Sequence, residues 1–62
     1  MIYKYIETGN LYKVVGKALL KDPTTREWLP SVIYEQYNVP EDKKMTFVRE
    51  AWDFYKKFGK ND

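Results

Sequence analysis

The ten residues GNLYKVVGKA, at positions 9–18, join a glycine turn to the longest strand candidate in the chain. Glycine at the first position of a Gly9-Asn10 loop suits a two-residue type II′ hairpin turn. Over residues 11–20 apolar and basic side chains alternate with a period of two, which is typical of a strand with one buried face. Residues 2–6 are β-branched and aromatic and favour a strand before the turn. The region therefore predicts an N-terminal β-hairpin.

The same loop predicts the register of this hairpin, with Tyr5 opposite Val14 and Tyr3 opposite Gly16. Gly16 within a strand indicates either a bulge or a place where Tyr3 packs against bare backbone. One face of the hairpin then carries Tyr3, Tyr5, Tyr12 and Val14. The other face carries apolar residues among lysines, namely Ile2, Ile6, Leu11 and Val15 with Lys4, Lys13 and Lys17.

The rest of the chain predicts two more strands and a helix. Strands are expected over residues 27–36 and 44–49, and Pro30 marks an edge or a bulge because proline has no N–H to donate. Aromatic residues at helical spacing predict a short helix over residues 50–58, and Gly59 suits the position after its C-terminus. Together the elements predict one mostly β domain with a C-terminal helix.

Several of these segments resemble the small bacterial and phage proteins grouped as domain of unknown function 1653. The resemblance is carried by Tyr3-Lys4-Tyr5, by GNLYKVVGKA, by Val32-Ile33-Tyr34, and by Phe47-Val48-Arg49 leading to Phe54. The chain departs from the family pattern at Glu50, at Glu35 and in having no histidine near its start. The resemblance implies an SH3-like barrel and no established activity. We therefore expect either a small SH3-like barrel or an open antiparallel sheet with a short C-terminal helix.

The composition removes most catalytic chemistry. The sequence has no cysteine and no histidine, and Ser31 is its only serine, so the usual nucleophile–base pairs and the commonest metal ligands are missing. We expect no enzymatic activity, no cofactor and no metal. The absence of cysteine fits a cytoplasmic location, and no apolar stretch is long enough to span a membrane.

A binding role remains, and three classes of partner are considered. We expect a protein partner or self-association, because both hairpin faces carry apolar residues. A net charge of +2 is weak for nucleic-acid binding, which is the alternative together with a small ligand. A nucleic-acid binder predicts Lys4, Lys13, Lys17 and Arg49 on one face, and a small-ligand site predicts Tyr34 and Arg49 at an apolar pocket. The candidate binding residues are Tyr5, Tyr12, Lys13, Lys17, Tyr34 and Arg49.

Three side chains have structural interpretations that we favour. For Arg49 an ion pair with Glu27, Glu35 or Asp53 is preferred over a ligand contact. Trp28 and Trp52 are expected to anchor the core. If either tryptophan is exposed, it becomes the best candidate for an interface hot spot.

Overall fold

Five strands and one short helix lie within residues 1–61, the part of the chain that the computed structural model describes. The elements in chain order are β1 (Ile2–Tyr5), β2 (Leu11–Lys21), β3 (Trp28–Gln36), a 3₁₀ turn (Glu41–Lys43), β4 (Thr46–Glu50), α1 (Ala51–Lys57) and β5 (Phe58–Lys60). The predicted strands and helix are confirmed, with boundaries that differ by a few residues. Helix α1 ends one residue earlier than expected, at Lys57, and its C-cap is Phe58. Gly59 follows the cap as predicted, and it also lies in β5, opposite Lys4 of β1.

The strands form one antiparallel sheet in the order β4-β3-β2-β1-β5. Strands β4 and β5 are its two edges and do not pair with each other, so the sheet is open. Of the two architectures expected, the open sheet with a short C-terminal helix is confirmed. The closed SH3-like barrel is not formed.

The tyrosines of the first hairpin share one face as predicted, but the register of the hairpin is different. Tyr3 pairs with Tyr12 rather than with Gly16, a shift of four residues along β2. The connection is longer than a two-residue loop, because Tyr5 accepts hydrogen bonds from the N–H groups of Thr8 and Gly9. Gly9 adopts a φ of 81° there, a conformation that glycine adopts without strain. Because the shift is even, side-chain alternation is preserved and the tyrosines still share one face.

A β-bulge in β2 changes which side chains face the core. The pairing of β2 with β3 shifts by one residue between Val14 and Gly16, which confirms the predicted bulge. The alternative, in which Tyr3 packs on the Gly16 backbone, is wrong, because Ile33 is the neighbour of that position. Beyond the bulge the parity reverses. Lys17 therefore pairs with Val32 and lies on the core side of the sheet.

The core lies on one side of the sheet, which we call the inner face. Its buried residues are Val32 and Tyr34 of β3 with Phe54 of α1 and Phe58 of β5. Phe54 and Phe58 stack with ring centroids 4.2 Å apart. Tyr3, Tyr5, Tyr12, Val14, Phe47 and Ala51 pack around this cluster. Tyrosine and phenylalanine rings supply most of the core, as expected for a chain this short.

Candidate binding site

Four of the six predicted binding residues meet on the inner face. Tyr5, Tyr12, Tyr34 and Arg49 line a hollow of about 200 Å³ together with Phe47 and Phe58. Tyr34 and Phe58 are buried, and the ring of Tyr12 meets both of them edge to face. The hollow is therefore the rim of the hydrophobic core, with one cation beside it.

That cation is held by the protein itself. Nε of Arg49 donates to the Tyr34 hydroxyl at 3.1 Å, and Nη1 donates to Oδ2 of Asp53 at 2.8 Å. Lys57 reaches the other oxygen of the same carboxylate at 3.2 Å. The guanidinium carbon also lies 5.5 Å from the ring centroid of Phe58 and 5.9 Å from that of Tyr5. The predicted ion pair of Arg49 is confirmed, with Asp53 as the partner.

These contacts perturb both charged groups. The hydrogen bonds to the Tyr34 hydroxyl and then to Asp53 raise the pKa of Arg49. The hydrogen bond from Arg49, followed by that from Lys57, lowers the pKa of Asp53. Arg49 thus fastens β4 to β3 and to α1. Its side chain therefore has a structural role, and its Nε–H and Nη1–H groups already have acceptors.

Lys13 and Lys17, the other two predicted binding residues, lie outside this hollow and on opposite faces of the sheet. Lys13 pairs with Ile2 and Glu35 on the outer face, the side opposite the core. Lys4, opposite Leu11 and Gly59, is also on that face. The bulge sends Lys17 to the inner face instead. The arrangement expected of a nucleic-acid site, with Lys4, Lys13, Lys17 and Arg49 on one face, is therefore wrong.

Both tryptophans are exposed, so the expectation that they anchor the core is wrong. Trp28 is 59% exposed and Trp52 is 63% exposed. The buried positions are filled by Phe54, Phe58 and Tyr34. Trp52 donates through Nε1 to a carboxylate oxygen of Glu50. Trp28 is the first residue of β3 and lies opposite Lys21 of β2. The Nζ atom of Lys21 is 5.2 Å from the indole centroid.

The surface around Trp28 is built by a two-stranded ribbon. Beyond Val14, β2 is no longer paired with β1, and β4 pairs with β3 only from Ser31 onward. Pro30 lies just outside that pairing, so the predicted edge position is confirmed and its missing N–H costs no hydrogen bond. The end of the β2–β3 hairpin therefore projects from the sheet with both of its edges unpaired.

The inner side of this ribbon forms an apolar groove against the helix. We call this surface the ribbon face, and it consists of Lys17, Leu19, Lys21, Trp28 and Pro30 on the strands with Ala51 and Tyr55 on α1. All of these except Lys21 and Trp28 border a groove of about 410 Å³, with Val32 also in its lining. Leu19 is 64% exposed, and the Tyr55 ring is half exposed. Across residues 1–61 no acidic side chain forms an ion pair with Lys17 or Lys21.

The sequence carries a partial signal for this surface. Leu19, Leu20 and Trp28 flank the predicted turn, and apolar residues on both sides of a turn indicate a ribbon that is apolar on both faces. Strict alternation along β2 places Lys17 on the same face as Lys13, and only the position of the bulge reverses that assignment. The helix residues Ala51 and Tyr55 come from a distant part of the chain and could not be assigned to the groove from spacing.

Comparisons of the chain with family models, with curated proteins and with solved structures gave no match. The resemblance to the domain of unknown function 1653 proteins therefore stays a prediction. Across residues 1–61, no helix combines the length and the apolar composition needed to cross a lipid bilayer.

Proposed function

We propose that this chain is a non-enzymatic protein-binding module whose ribbon face receives an apolar segment with acidic side chains from a partner protein. The observation that carries the proposal is the pair of large exposed side chains, Leu19 and Trp28, beside an apolar groove. A cytoplasmic location is inferred from the absence of cysteine.

Apolar burial supplies the affinity in this proposal. Contiguous exposed apolar residues on a small protein are typical of interaction sites, and tryptophan is enriched among hot-spot residues. The groove between Pro30 and Tyr55 can receive one or two apolar side chains of a partner. Trp28, farther along the ribbon face, can then contact the part of the segment that extends beyond the groove. Lys17 and Lys21 on the same face favour an acidic neighbour in the bound segment.

Two features favour a protein over the alternatives. Small-ligand sites bury most of the ligand surface, whereas this groove is bordered by the exposed side chains of Leu19 and Tyr55. Single-stranded nucleic acid needs a continuous basic track beside its stacking platforms. Here Leu19 and Pro30 lie between the two lysines of the ribbon face, and neither offers a base an aromatic surface.

The test is a selection of short random peptides, displayed on a surface, against the immobilised protein. We expect the recovered peptides to combine large apolar residues with Asp or Glu. Their affinities are then measured by isothermal titration calorimetry with the wild-type protein and with Trp28→Ala. We expect Trp28→Ala to bind at least about 30-fold more weakly, the loss typical of a hot-spot residue.

Trp52→Ala is the matched control, because it removes an equally exposed tryptophan that lies on α1 and is not part of the ribbon face. It should leave peptide affinity unchanged. The double variant with Lys17→Glu and Lys21→Glu should disfavour acidic peptides and accept basic ones. Peptides that bind equally well to Trp28→Ala would contradict the proposal. So would tighter binding of an oligothymidine probe, with affinity falling steeply as salt is raised.

A further inference from the structure

Strand β4 is an edge whose outward backbone groups can be identified. The Gln36 N–H donates to the Met45 carbonyl, so this pair is a hydrogen-bonded pair of the antiparallel ladder. Because such pairs alternate along a ladder, Phe47 and Arg49 also direct their backbone groups toward β3. Thr46, Val48 and Glu50 therefore direct theirs away from the sheet. The Glu50 carbonyl begins the hydrogen bonding of α1, which leaves its N–H as the free group.

This edge has little protection against strand pairing. Edge strands are commonly blocked by proline, by charged side chains and especially lysine, by a bulge or by extreme shortness. The two charged residues of β4, Arg49 and Glu50, lie at its helix end, and Arg49 is already paired with Asp53. Thr46–Glu50 contains neither proline nor lysine, and its pairing with β3 is regular from end to end. Val48 at its centre is 52% exposed. The opposite edge, β5, is only three residues long.

We infer that two copies of this chain associate by antiparallel pairing of their β4 strands about a two-fold axis at Val48. Val48 of each copy then exchanges two backbone hydrogen bonds with the partner's Val48. The Glu50 N–H of each copy meets the carbonyl of the partner's Thr46. These are the outward groups of β4, so the register uses the edge that the fold leaves free.

The side chains are self-complementary in this register. The two Val48 side chains meet on the outer face and extend the apolar row that Gly16, Ile33 and Val48 form across β2, β3 and β4. On the inner face Arg49 lies opposite the partner's Phe47, a cation beside an aromatic ring. Glu50 lies opposite the partner's Thr46, so no like charges face each other across the strands.

Registers centred nearer to the helix are less favourable. Centring the axis on Arg49 keeps outward groups paired but places two guanidinium groups directly opposite each other, which is destabilising. Centring the axis on Glu50 places two carboxylates directly opposite each other, which is destabilising. A second copy is therefore a suitable occupant of this edge, because no like charges meet when two β4 strands pair antiparallel about Val48.

The interface is small, so the dimer should be reversible. A stable complex buries ~1,200–2,000 Å² in total, more than a pair of five-residue strands provides. We expect a monomer–dimer equilibrium that follows protein concentration. It uses a surface distinct from the ribbon face and does not depend on the proposed function.

Sedimentation equilibrium from about 10 μM to about 1 mM covers the dissociation constants expected of a weak interface. The wild type should shift from monomer to dimer over this range. Val48→Lys and Val48→Glu should each stay monomeric, because the two-fold axis brings like charges together. An equimolar mixture of the two variants should dimerise again, since the charges across the axis are then opposite.

Val15→Lys is the control, because it adds the same charge at another half-exposed valine, located on β2. It should dimerise like the wild type. Circular dichroism checks that each variant is folded. A wild type that stays monomeric at the highest concentration would overturn the inference. A Val48→Lys variant that dimerises as the wild type does, or a mixture that stays monomeric, would overturn it too.

Discussion

Nε of Arg49 donates a hydrogen bond of 3.1 Å to the hydroxyl of Tyr34, fifteen residues earlier in the chain. The Tyr34 ring is part of the buried core, and its hydroxyl is the polar end of that core. Through Asp53 the same guanidinium reaches α1. One side chain thus connects two neighbouring strands and the helix that covers them. This gives a structural role to an arginine that lies beside five aromatic rings.

Tyr34→Phe is expected to lower the free energy of unfolding by about 0.5–1.5 kcal/mol, the net value of one intramolecular hydrogen bond. The substitution keeps the ring in the core and removes the acceptor of the Arg49 Nε–H. Urea denaturation followed by circular dichroism measures the change. Tyr37→Phe is the control, because Tyr37 is exposed. Equal stability of the two variants would show that the Arg49–Tyr34 hydrogen bond contributes nothing.

The ion pair of Asp53 predicts a dependence of stability on pH. The pKa of Asp53 in the folded protein is lowered from 3.8, first by the hydrogen bond from Arg49. A lowered folded pKa means that the stabilisation is complete above the unfolded value and is lost as pH falls through the folded pKa. Between about pH 5 and about pH 2 the wild type should therefore lose more stability than Asp53→Asn.

The effect of Asp53 has to be measured as the difference between wild type and Asp53→Asn, because Asp22 adds a pH dependence of its own. The pKa of Asp22 is also lowered, chiefly because its carboxylate accepts the N–H of Thr24. Its contribution is present in both proteins and cancels in the difference. Parallel curves of unfolding free energy against pH for wild type and Asp53→Asn would contradict the role given to the Arg49–Asp53 pair.

The faces of the first hairpin could be predicted from sequence, and its register could not. Alternation identifies Tyr3 and Tyr12 as sharing a face. This holds for any register that differs from the predicted one by an even number of residues. The register depends on how many residues the turn uses. The Gly9-Asn10 pair predicts a two-residue turn, but the N–H groups of Thr8 and Gly9 both donate to the Tyr5 carbonyl and extend the turn.

The bulge was predicted, but its effect on the binding surface was not. Val14 and Val15 are both apolar, so hydropathy does not show which of them is the extra residue. The position of the bulge decides whether Lys17 faces the core side or the outer face. The site assigned from sequence consequently mixed a structural arginine with lysines from two different faces.

The tryptophans illustrate a limit of composition. A large apolar side chain favours burial, and Trp28 and Trp52 were placed in the core for that reason. An open five-stranded sheet with a seven-residue helix has room for few rings. The buried positions are occupied by residues that face inward from β3, α1 and β5. How many rings can be buried depends on the three-dimensional arrangement of these elements, which composition does not give.

Substitutions of Gly9 and Gly16 test the turn of the first hairpin and the bulge in β2. Gly9→Ala should lower the free energy of unfolding by about 1–2 kcal/mol, because its φ of 81° is costly for a residue with a Cβ. Gly16→Ala should be neutral or slightly stabilising, because the added Cβ meets Ile33 at an ordinary 3.8 Å. Thermal unfolding of both variants measures the contrast. The reverse order of stability would mean that the turn conformation is wrong.

Helix α1 offers the sharpest test of where the core lies, because Phe54 is fully buried on it while Trp52 is exposed. Phe54→Ala should cost about 3–5 kcal/mol, the usual loss for a buried phenylalanine. A domain of 62 residues has a total stability of only about 3–9 kcal/mol, so this variant should be largely unfolded.

Phe54→Leu keeps most of the apolar volume and should remain folded at a cost below about 1.5 kcal/mol. Trp52→Ala should change stability by less than about 0.5 kcal/mol, although tryptophan is the larger side chain. Far-UV circular dichroism follows all three variants without relying on tryptophan fluorescence. If Trp52→Ala unfolded the protein as readily as Phe54→Ala, the indole would belong to the core and the placement of α1 on the inner face would be wrong.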